Sequence, residues 1–181
     1  EGTQLQMRKY KVKFQRIKMI LISHLHGDHY LGLTGLLSSM SLLGRKQDLT
    51  IYCPAELEEI LQFQFKVAGV KFNFELNFVH LKGGEKEVIF EDQVLQISSF
   101  PVQHRIPCWG FHFQEKKRDL NVNPAKINEH QLSIEEILLA KKGEDIVRES
   151  AYLRNADLTI PNGPEKSYAY SADTRYFDQM A

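Results

Sequence analysis

Apolar and polar positions along the first seventy residues predict short strands that alternate with helices. Residues 19–22 form an apolar run that ends at turn-forming residues, which is typical of a short buried strand. Residues 32–43 are apolar without alternation, and this pattern predicts a buried helix that ends at Gly44. Leu49–Cys53 is a second predicted strand, and the proline after it begins a predicted helix over residues 55–67, with glutamates in its first turns.

The next part of the chain is rich in strand signals. Residues 72–81 are aromatic-rich and extended in character. Residues 88–90 and 94–97 are predicted strands around a short polar turn. Residues 110–115 alternate apolar and polar side chains and predict a further strand, and strand character returns at residues 167–171.

A polar segment separates these last two strands. Residues 116–164 are highly charged and poor in strand signals, with two helix candidates at residues 124–130 and 133–142. Ser133 and Glu136 form a capping-box pattern, in which each side chain binds a backbone N–H at the start of a helix. We therefore expect residues 116–164 to be an arm inserted into a β-rich domain.

The composition favours one soluble domain. With 181 residues, of which 43% are hydrophobic, the chain can bury one sizeable core, so we expect a single domain over residues 1–181. Lys plus Arg equals Asp plus Glu at 23 each, so any attraction to phosphate must come from local patches.

Two cysteines are too few for a disulfide framework and predict reduced, buried thiols. We expect neither a signal peptide nor a membrane span, and hence a cytoplasmic protein, because no apolar run is long enough.

Four potential metal ligands lie within six residues, directly after the first predicted strand. They are His24, His26, Asp28 and His29. Alternate side chains of an extended segment share a face, so His24 and His26 should point the same way. Gly27 should then allow the chain to bend, and Asp28 suits the positive end of a helix that begins there. Imidazole nitrogens with one carboxylate favour zinc or a neighbouring first-row metal over calcium or magnesium.

These residues also carry a family resemblance. The segment SHLHGDHYLGLTGLL resembles the HxHxDH signature of the metallo-β-lactamase fold, in the form that ribonuclease Z carries. Three further segments resemble motifs of this family and occur in the family's order. They are EGTQ at residues 1–4, HRIPCWGF at residues 104–111, and SADTR at residues 171–175. Together the four motifs span nearly the whole chain, so the resemblance covers most of it.

The resemblance implies a fold and an activity. The implied fold is of the α/β (α+β) class, an αββα sandwich of two mixed β-sheets flanked by helices, here present in part. The implied activity is a zinc-dependent endoribonuclease that removes the 3′ trailer from precursor tRNA, with two zinc ions per chain in the complete protein and a homodimeric assembly. In the family, an arm in the position of residues 116–164 grips the tRNA elbow, so the resemblance makes this segment a tRNA-binding exosite.

The resemblance also assigns roles to individual residues. The implied metal ligands are His24, His26, Asp28, His29, His104 and Asp173. The histidines at 24, 26 and 104 would hold the first zinc, the pair at 28 and 29 the second, and Asp173 would bridge them. Asp28 would also be catalytic, since its carboxylate can orient the attacking hydroxide or accept its proton. The family's last histidine ligand follows SADTR, so we expect the chain, which stops at Ala181, to be truncated at both ends and a poor catalyst alone.

Two alternatives remain open at this level. Another hydrolase of the same fold, such as an arylsulfatase-like enzyme or a phosphodiesterase, would share the histidine cluster. A non-catalytic fragment that binds RNA or dimerises would need no complete metal site. The number of bound metal ions distinguishes the second alternative from an enzyme, because a binding module need not hold two.

Overall fold

A computed structural model describes residues 2–177, which form two compact units. The first unit contains the chain up to Phe90, Ile97–Phe113 and the chain from Tyr168 onward; the second contains Glu91–Gln96 and Gln114–Ser167. Glu1 of the EGTQ segment and Ala181 lie outside the described residues. In chain order the elements are α1 (Thr3–Lys9), a 3-10 helix (Phe14–Arg16), β1 (Met19–Leu21), α2 (Gly27–Leu42), β2 (Leu49–Cys53), α3 (Ala55–Val67), β3 (Leu76–His80), β4 (Glu87–Glu91), β5 (Leu95–Pro101), β6 (Trp109–Glu115), β7 (Asn121–Val122), α4 (Pro124–His130), α5 (Ile134–Lys142), β8 (Ile146–Arg148), β9 (Ala151–Leu153), α6 (Asn155–Leu158), β10 (Thr159–Ile160) and β11 (Ser167–Tyr170).

The first unit contains a three-stranded parallel sheet with the strand order β1-β2-β3. Ile20 is aligned with Ile51, and Ile51 in turn with Phe78. Helices α2 and α3 connect these strands, because parallel neighbours can be joined only by a crossover. The predicted bounds of β2 and α3 are confirmed residue for residue, and the predicted buried helix at residues 32–43 is the carboxyl-terminal part of α2.

The expectation of an extended segment over residues 72–81 was only partly correct. Only Leu76–His80 pairs as a strand. Before it, Phe72 and Phe74 pack into the core, and the Phe72 ring lies edge-on to Phe65 with 4.7 Å between ring centroids. These aromatic residues therefore fill space beside α3 and do not extend the sheet.

A second sheet has the order β11-β6-β5-β4. The predicted strands at residues 88–90, 94–97, 110–115 and 167–171 are confirmed within one to four residues at their ends. The turn between β4 and β5 is stabilised by Asp92, whose Oδ1 accepts hydrogen bonds from the backbone N–H groups of Val94 and Leu95 at 2.7 and 2.8 Å. An Asp side chain that binds backbone two residues ahead is a common turn device.

Two hydrophobic layers lie on opposite faces of the parallel sheet. Side chains alternate along a strand, so Ile20 and Ile51 pack with α2 and α3, whereas Met19 and Tyr52 pack with Trp109 of the second sheet. The helix-facing cluster also buries Leu33, Leu36, Leu37, Met40, Leu57 and Leu61. The resulting helix–sheet–sheet succession is the one that the predicted αββα sandwich requires. Each fully buried side chain of this size contributes about 1.5–3 kcal/mol.

Close packing within the second sheet explains the glycine of the HRIPCWGF motif. A Cβ on Gly110 would lie 2.3 Å from the ring of Phe100 on the neighbouring strand and 2.8 Å from the carbonyl oxygen of Tyr170. Real Cβ atoms do not approach other atoms this closely. Glycine is therefore required here by space, because β5 and β11 flank it on both sides.

The second unit has a core of its own. It buries Val122, Leu132, Ala140, Ile146 and Leu158. Helix α4 has its predicted bounds, and α5 begins after Ser133 with the predicted capping box in place. Although this segment is poor in strand signals, β7 pairs with β10 and β8 with β9. Strands of two or three residues are too short to show an alternating pattern.

The expectation of buried thiols agrees with the structure. Cys53 and Cys108 are both buried free thiols, and burial raises their pKa values to about 12 and about 11. Such thiols are poor nucleophiles at neutral pH.

Between residues 2 and 177, no helix has both the length and the apolar content needed to cross a bilayer.

Candidate metal centre

The histidine-rich segment continues the first strand of the parallel sheet. After β1 the chain runs to His26, which is the N-cap residue of α2 and has an extended backbone conformation. Consequently the two rings project to the same side, and His24 Nε2 lies 3.1 Å from His26 Nδ1. Helix α2 begins at Gly27, one residue before Asp28, which lies in its first turn as expected.

The expected reason for Gly27 was wrong. Its φ angle is not in the left-handed region, so the backbone bend itself does not require glycine. A Cβ at this position would instead lie 2.8 Å from Leu31 Cδ1, one turn further along α2. Leu31 is half-exposed and its side chain can rotate away, so space at the start of the helix does not require glycine either.

His104 and Asp173 reach the same place from distant parts of the sequence. His104 follows β5, and its Nε2 lies 3.1 Å from His26 Nδ1. Asp173 follows β11, and its Oδ2 lies 3.8 Å from His24 Nε2 and 3.6 Å from His29 Nε2. One donor atom from each of four residues, namely His24, His26, His104 and Asp173, lies within 4.8 Å of all the others.

This donor set fits a transition-metal ion. Nitrogen ligands about 2.0–2.1 Å from a tetrahedral zinc lie roughly 3.4 Å from each other, close to the 3.1 Å separations between these imidazole nitrogens. Three imidazoles with a carboxylate suit zinc or a related metal better than calcium or magnesium. The cluster therefore passes a chemical and a geometric test for a metal site.

The environment of His24 favours the neutral imidazole, which is the form that binds a metal ion. Its side chain is fully buried, and burial lowers its pKa, with repulsion from a protonated His29 as the next cause. Ser23 Oγ lies 3.1 Å from His24 Nδ1. A proton on Nδ1 that is donated to Ser23 leaves Nε2 as the free lone pair directed at the cluster. Sequence reasoning quoted Ser23 as part of the motif but gave it no role.

The structure places Asp28 and His29 beside these four residues. Asp28 Oδ2 lies 3.5 Å from His29 Nε2, and its side chain is 73% exposed. His29 contacts the cluster in two places: its Nε2 lies 3.6 Å from Asp173 Oδ2, and its ring centroid lies 4.1 Å from that of His24. The structure therefore groups four of the six residues singled out in the sequence in one cluster and places His29 in contact with it, with Asp28 next to His29.

Hydrogen bonds join the loops that carry His104 and Asp173. The Gln103 N–H donates to Thr174 Oγ1 at 3.2 Å, and the Arg175 N–H donates to the Gln103 carbonyl at 3.0 Å. Cys108 Sγ lies 3.6 Å from the carbonyl oxygen of Asp173. These contacts fix the separation between two ligand-bearing loops. No pattern in the sequence around Gln103 indicated this role, because it depends on a partner more than seventy residues away.

The remaining histidines lie elsewhere. His80 Nε2 is 2.7 Å from Glu58 Oε2, and His130 Nε2 is 3.6 Å from Glu129 Oε1. His112 lines a cavity of about 390 Å³ with Phe100, Ala169 and other residues of the first unit. None of these three belongs to the metal-ligating cluster found among residues 2–177.

The chain is similar in sequence to known proteins of one superfamily. Residues 3–121 match the model of the beta-lactamase superfamily domain. The chain is 39% identical over 181 residues to ribonuclease Z of Phocaeicola vulgatus, covering 99% of this chain and 59% of that protein. It is 38% identical over 175 residues to ribonuclease Z of Bacteroides fragilis, covering 96% of this chain and 58% of that protein.

A solved structure is similar as well. The crystal structure of human tRNase Z, short form, superimposes with a TM-score of 0.61 at 32% identity, covering 65% of this chain and 52% of the human chain. The chain thus spans about six-tenths of the length of the curated relatives it matches.

Proposed function

We propose, from the premise that this chain belongs to the beta-lactamase superfamily, that it carries the catalytic centre of a zinc-dependent endoribonuclease. The proposed reaction is hydrolysis of the phosphodiester that joins the 3′ trailer to precursor tRNA. The relatives named ribonuclease Z and the human tRNase Z structure support this choice among the many activities of the superfamily. The proposal includes a homodimer located in the cytoplasm, which rests on the family resemblance alone.

One observation carries the proposal. The four-residue cluster of His24, His26, His104 and Asp173 has donor chemistry and spacing suited to zinc, and Asp28 with His29 lies directly beside it. In this proposal the cluster would hold one ion, Asp28 and His29 would hold a second, and Asp173, in contact with both groups, would serve each. A packing role would not explain the clustering of three imidazoles and a carboxylate, since a fully buried polar group such as the His24 side chain carries a desolvation cost.

The chemistry follows from the residues. Two metal ions in such a centre supply a water of lowered pKa and neutralise charge on the attacked phosphoryl group. Asp28, exposed and adjacent to His29, would orient the attacking water and accept its proton. Asp173 and the three clustered histidines hold the centre in place, and Ser23 fixes the ring of His24 through Nδ1. Most of the rate enhancement would come from positioning and charge neutralisation.

The second unit supplies a surface for RNA in this proposal. A cavity of about 260 Å³ there is lined by Lys117, Arg118, Asp119, Leu120, Lys141, Lys142 and Gly143. Four cations face one acidic group, which favours binding of phosphate. We therefore retain residues 116–164 as the proposed tRNA-binding exosite.

The decisive test uses the full-length protein that carries this chain. The zinc-loaded protein should cut a tRNA with a 3′ trailer at the trailer boundary and leave mature tRNA intact. His104→Ala should abolish cleavage because it removes a donor of the cluster, whereas His112→Ala should not, since this histidine lies outside it. Hydrolysis of a chromogenic diester without RNA cleavage would instead establish another hydrolase of this fold. Binding of RNA without two bound metal ions and without hydrolysis would establish a non-catalytic module.

A further inference from the structure

A polar cavity adjoins the metal cluster on the side of His104. It has a volume of about 290 Å³ and is lined by Gln103, His104, Arg105 and Arg175. His104 belongs both to this cavity and to the cluster, so the two are contiguous. The roles assigned above to the cluster do not use either arginine.

Arg175 is held in a defined orientation within this cavity. Its backbone N–H donates to the Gln103 carbonyl at 3.0 Å, and its side-chain Nε donates to Gln103 Oε1 at 2.7 Å. These two bonds anchor one edge of the guanidinium group. Within residues 2–177 the two Nη nitrogens of Arg175 make no hydrogen bond to protein, so these two nitrogens are available to a ligand.

The cavity carries positive charge that the described residues do not neutralise. Between residues 2 and 177, no carboxylate lies within ion-pair distance of Arg105 or Arg175. Asp173 is near in sequence, but its Oδ2 is directed at His24 and His29. Two guanidinium groups that line one small cavity, and that no carboxylate of residues 2–177 neutralises, favour an anion with several oxygens, which a planar guanidinium can bind through two parallel hydrogen bonds.

We propose that Arg105 and Arg175 form a binding site for an RNA phosphodiester next to the one that is cut. The inference rests on the proposed function, which supplies an RNA strand whose phosphates lie on both sides of the reacting group. The reacting phosphate belongs at the metal cluster, and the adjoining cavity takes its neighbour. The arginines are positioning residues, because they hold the strand and do not touch the reacting atoms.

A contact to a neighbouring phosphate is equally strong before and during the reaction. Such uniform binding lowers KM and leaves kcat unchanged. It is also absent from a small diester that has only one phosphate. The site therefore predicts an effect on RNA alone, expressed in KM and in the salt dependence of binding.

The test compares Arg175→Gln and Arg105→Gln with Lys46→Gln in the full-length protein. Lys46 precedes the amino end of β2, whereas the metal cluster follows the carboxyl end of β1, so the control lies at the opposite edge of a parallel sheet. Each arginine variant should raise KM for trailer-bearing tRNA about tenfold at unchanged kcat, and hydrolysis of bis(p-nitrophenyl) phosphate and zinc content should match the wild type. Arg175→Lys retains the charge and should restore part of the loss.

A second measurement is independent of catalysis. Binding of the same RNA in chelator, followed by fluorescence anisotropy over a range of salt, should show a slope of log Kd against log salt that falls by about 0.7 for each glutamine variant. Unchanged slopes and unchanged KM would overturn the phosphate site. A parallel loss of zinc and of diester hydrolysis would overturn it too, by showing that the arginines support the ligand loops. If the wild type cuts no RNA, the proposed function fails separately, and the salt slopes still decide the arginine site.

Discussion

Nε2 of His104 lies 3.1 Å from Nδ1 of His26, although 78 residues separate the two side chains along the sequence. His26 follows a strand of the parallel sheet, and His104 follows a strand of the second sheet. The candidate metal centre therefore forms where strands of both sheets end. Its integrity depends on residues that hold the two loops together as much as on the donors themselves.

Substitution of Asp173 tests whether its carboxylate bridges two metal ions. Its Oδ2 lies between His24 and His29, at 3.8 and 3.6 Å from their Nε2 atoms. We predict that Asp173→Ala in the full-length protein lowers metal content from close to two ions per chain to below one, because a bridging ligand serves both positions. Metal analysis after gel filtration measures this. Asp157→Asn, in the second unit, should retain both ions; full occupancy in Asp173→Ala would contradict the bridging role.

Deletion of the arm should separate the two kinds of substrate. The Glu115 N–H donates to the Lys166 carbonyl at 2.9 Å, so the chain enters and leaves the segment side by side. A two-residue Asn-Gly link in place of residues 116–165 can close this gap as a tight hairpin. The deleted protein should lose at least tenfold in processing of trailer-bearing tRNA and keep most of its activity on a chromogenic diester. Equal losses on both substrates would mean that the arm supports the fold.

Gly110→Ala should destabilise the protein through overpacking. The new Cβ would lie 2.3 Å from the Phe100 ring and 2.8 Å from a backbone oxygen that cannot move freely. We expect a loss of about 1–3 kcal/mol in the free energy of unfolding, measured by urea denaturation. Gly163→Ala is the matched control, since its Cβ would meet no atom within 4 Å. In the Gly110→Ala background, a second substitution, Phe100→Leu, should recover part of the lost free energy of unfolding, because it removes the ring that the new Cβ meets. If stability is not recovered, the clash is with the carbonyl oxygen of Tyr170 and not with the ring.

The second unit should lose stability in acid through Glu136. Its carboxylate binds Arg148 Nε and Nη2 at 2.6 and 2.8 Å, and these contacts, with the Ser133 backbone next, lower its pKa from 4.5 to about 2. A carboxyl whose pKa is lower in the folded state stabilises that state above pH 4.5, and the effect is lost as the pH falls toward 2. Glu136→Gln should therefore flatten the decline in thermal stability between pH 4.5 and 2. Glu135→Gln, on the same helix turn, should follow the wild-type curve.

Local signals in the sequence determined most elements that are long enough to show a pattern. Helices α3 and α4 and strand β2 have their predicted bounds, because an apolar run, or a proline at or directly before the first helical position, specifies them within a few residues. The capping box of α5 was equally visible, since its two partners are three residues apart. Strands β7 to β10 escaped detection because two or three paired residues carry no periodicity.

The candidate metal site likewise depends in part on local sequence and in part on tertiary structure. The spacing of His24 and His26 determined by itself that their side chains share a face, because the period of an extended backbone is two residues. That His104 and Asp173 meet them depended on the family resemblance at the level of sequence, and only the packing of the two sheets brings these loops within 4.8 Å. Only the tertiary structure showed that Gln103 orients Arg175 and that Gly110 makes room for Phe100. Both relationships join residues from different strands or loops, and no local pattern encodes such a distance.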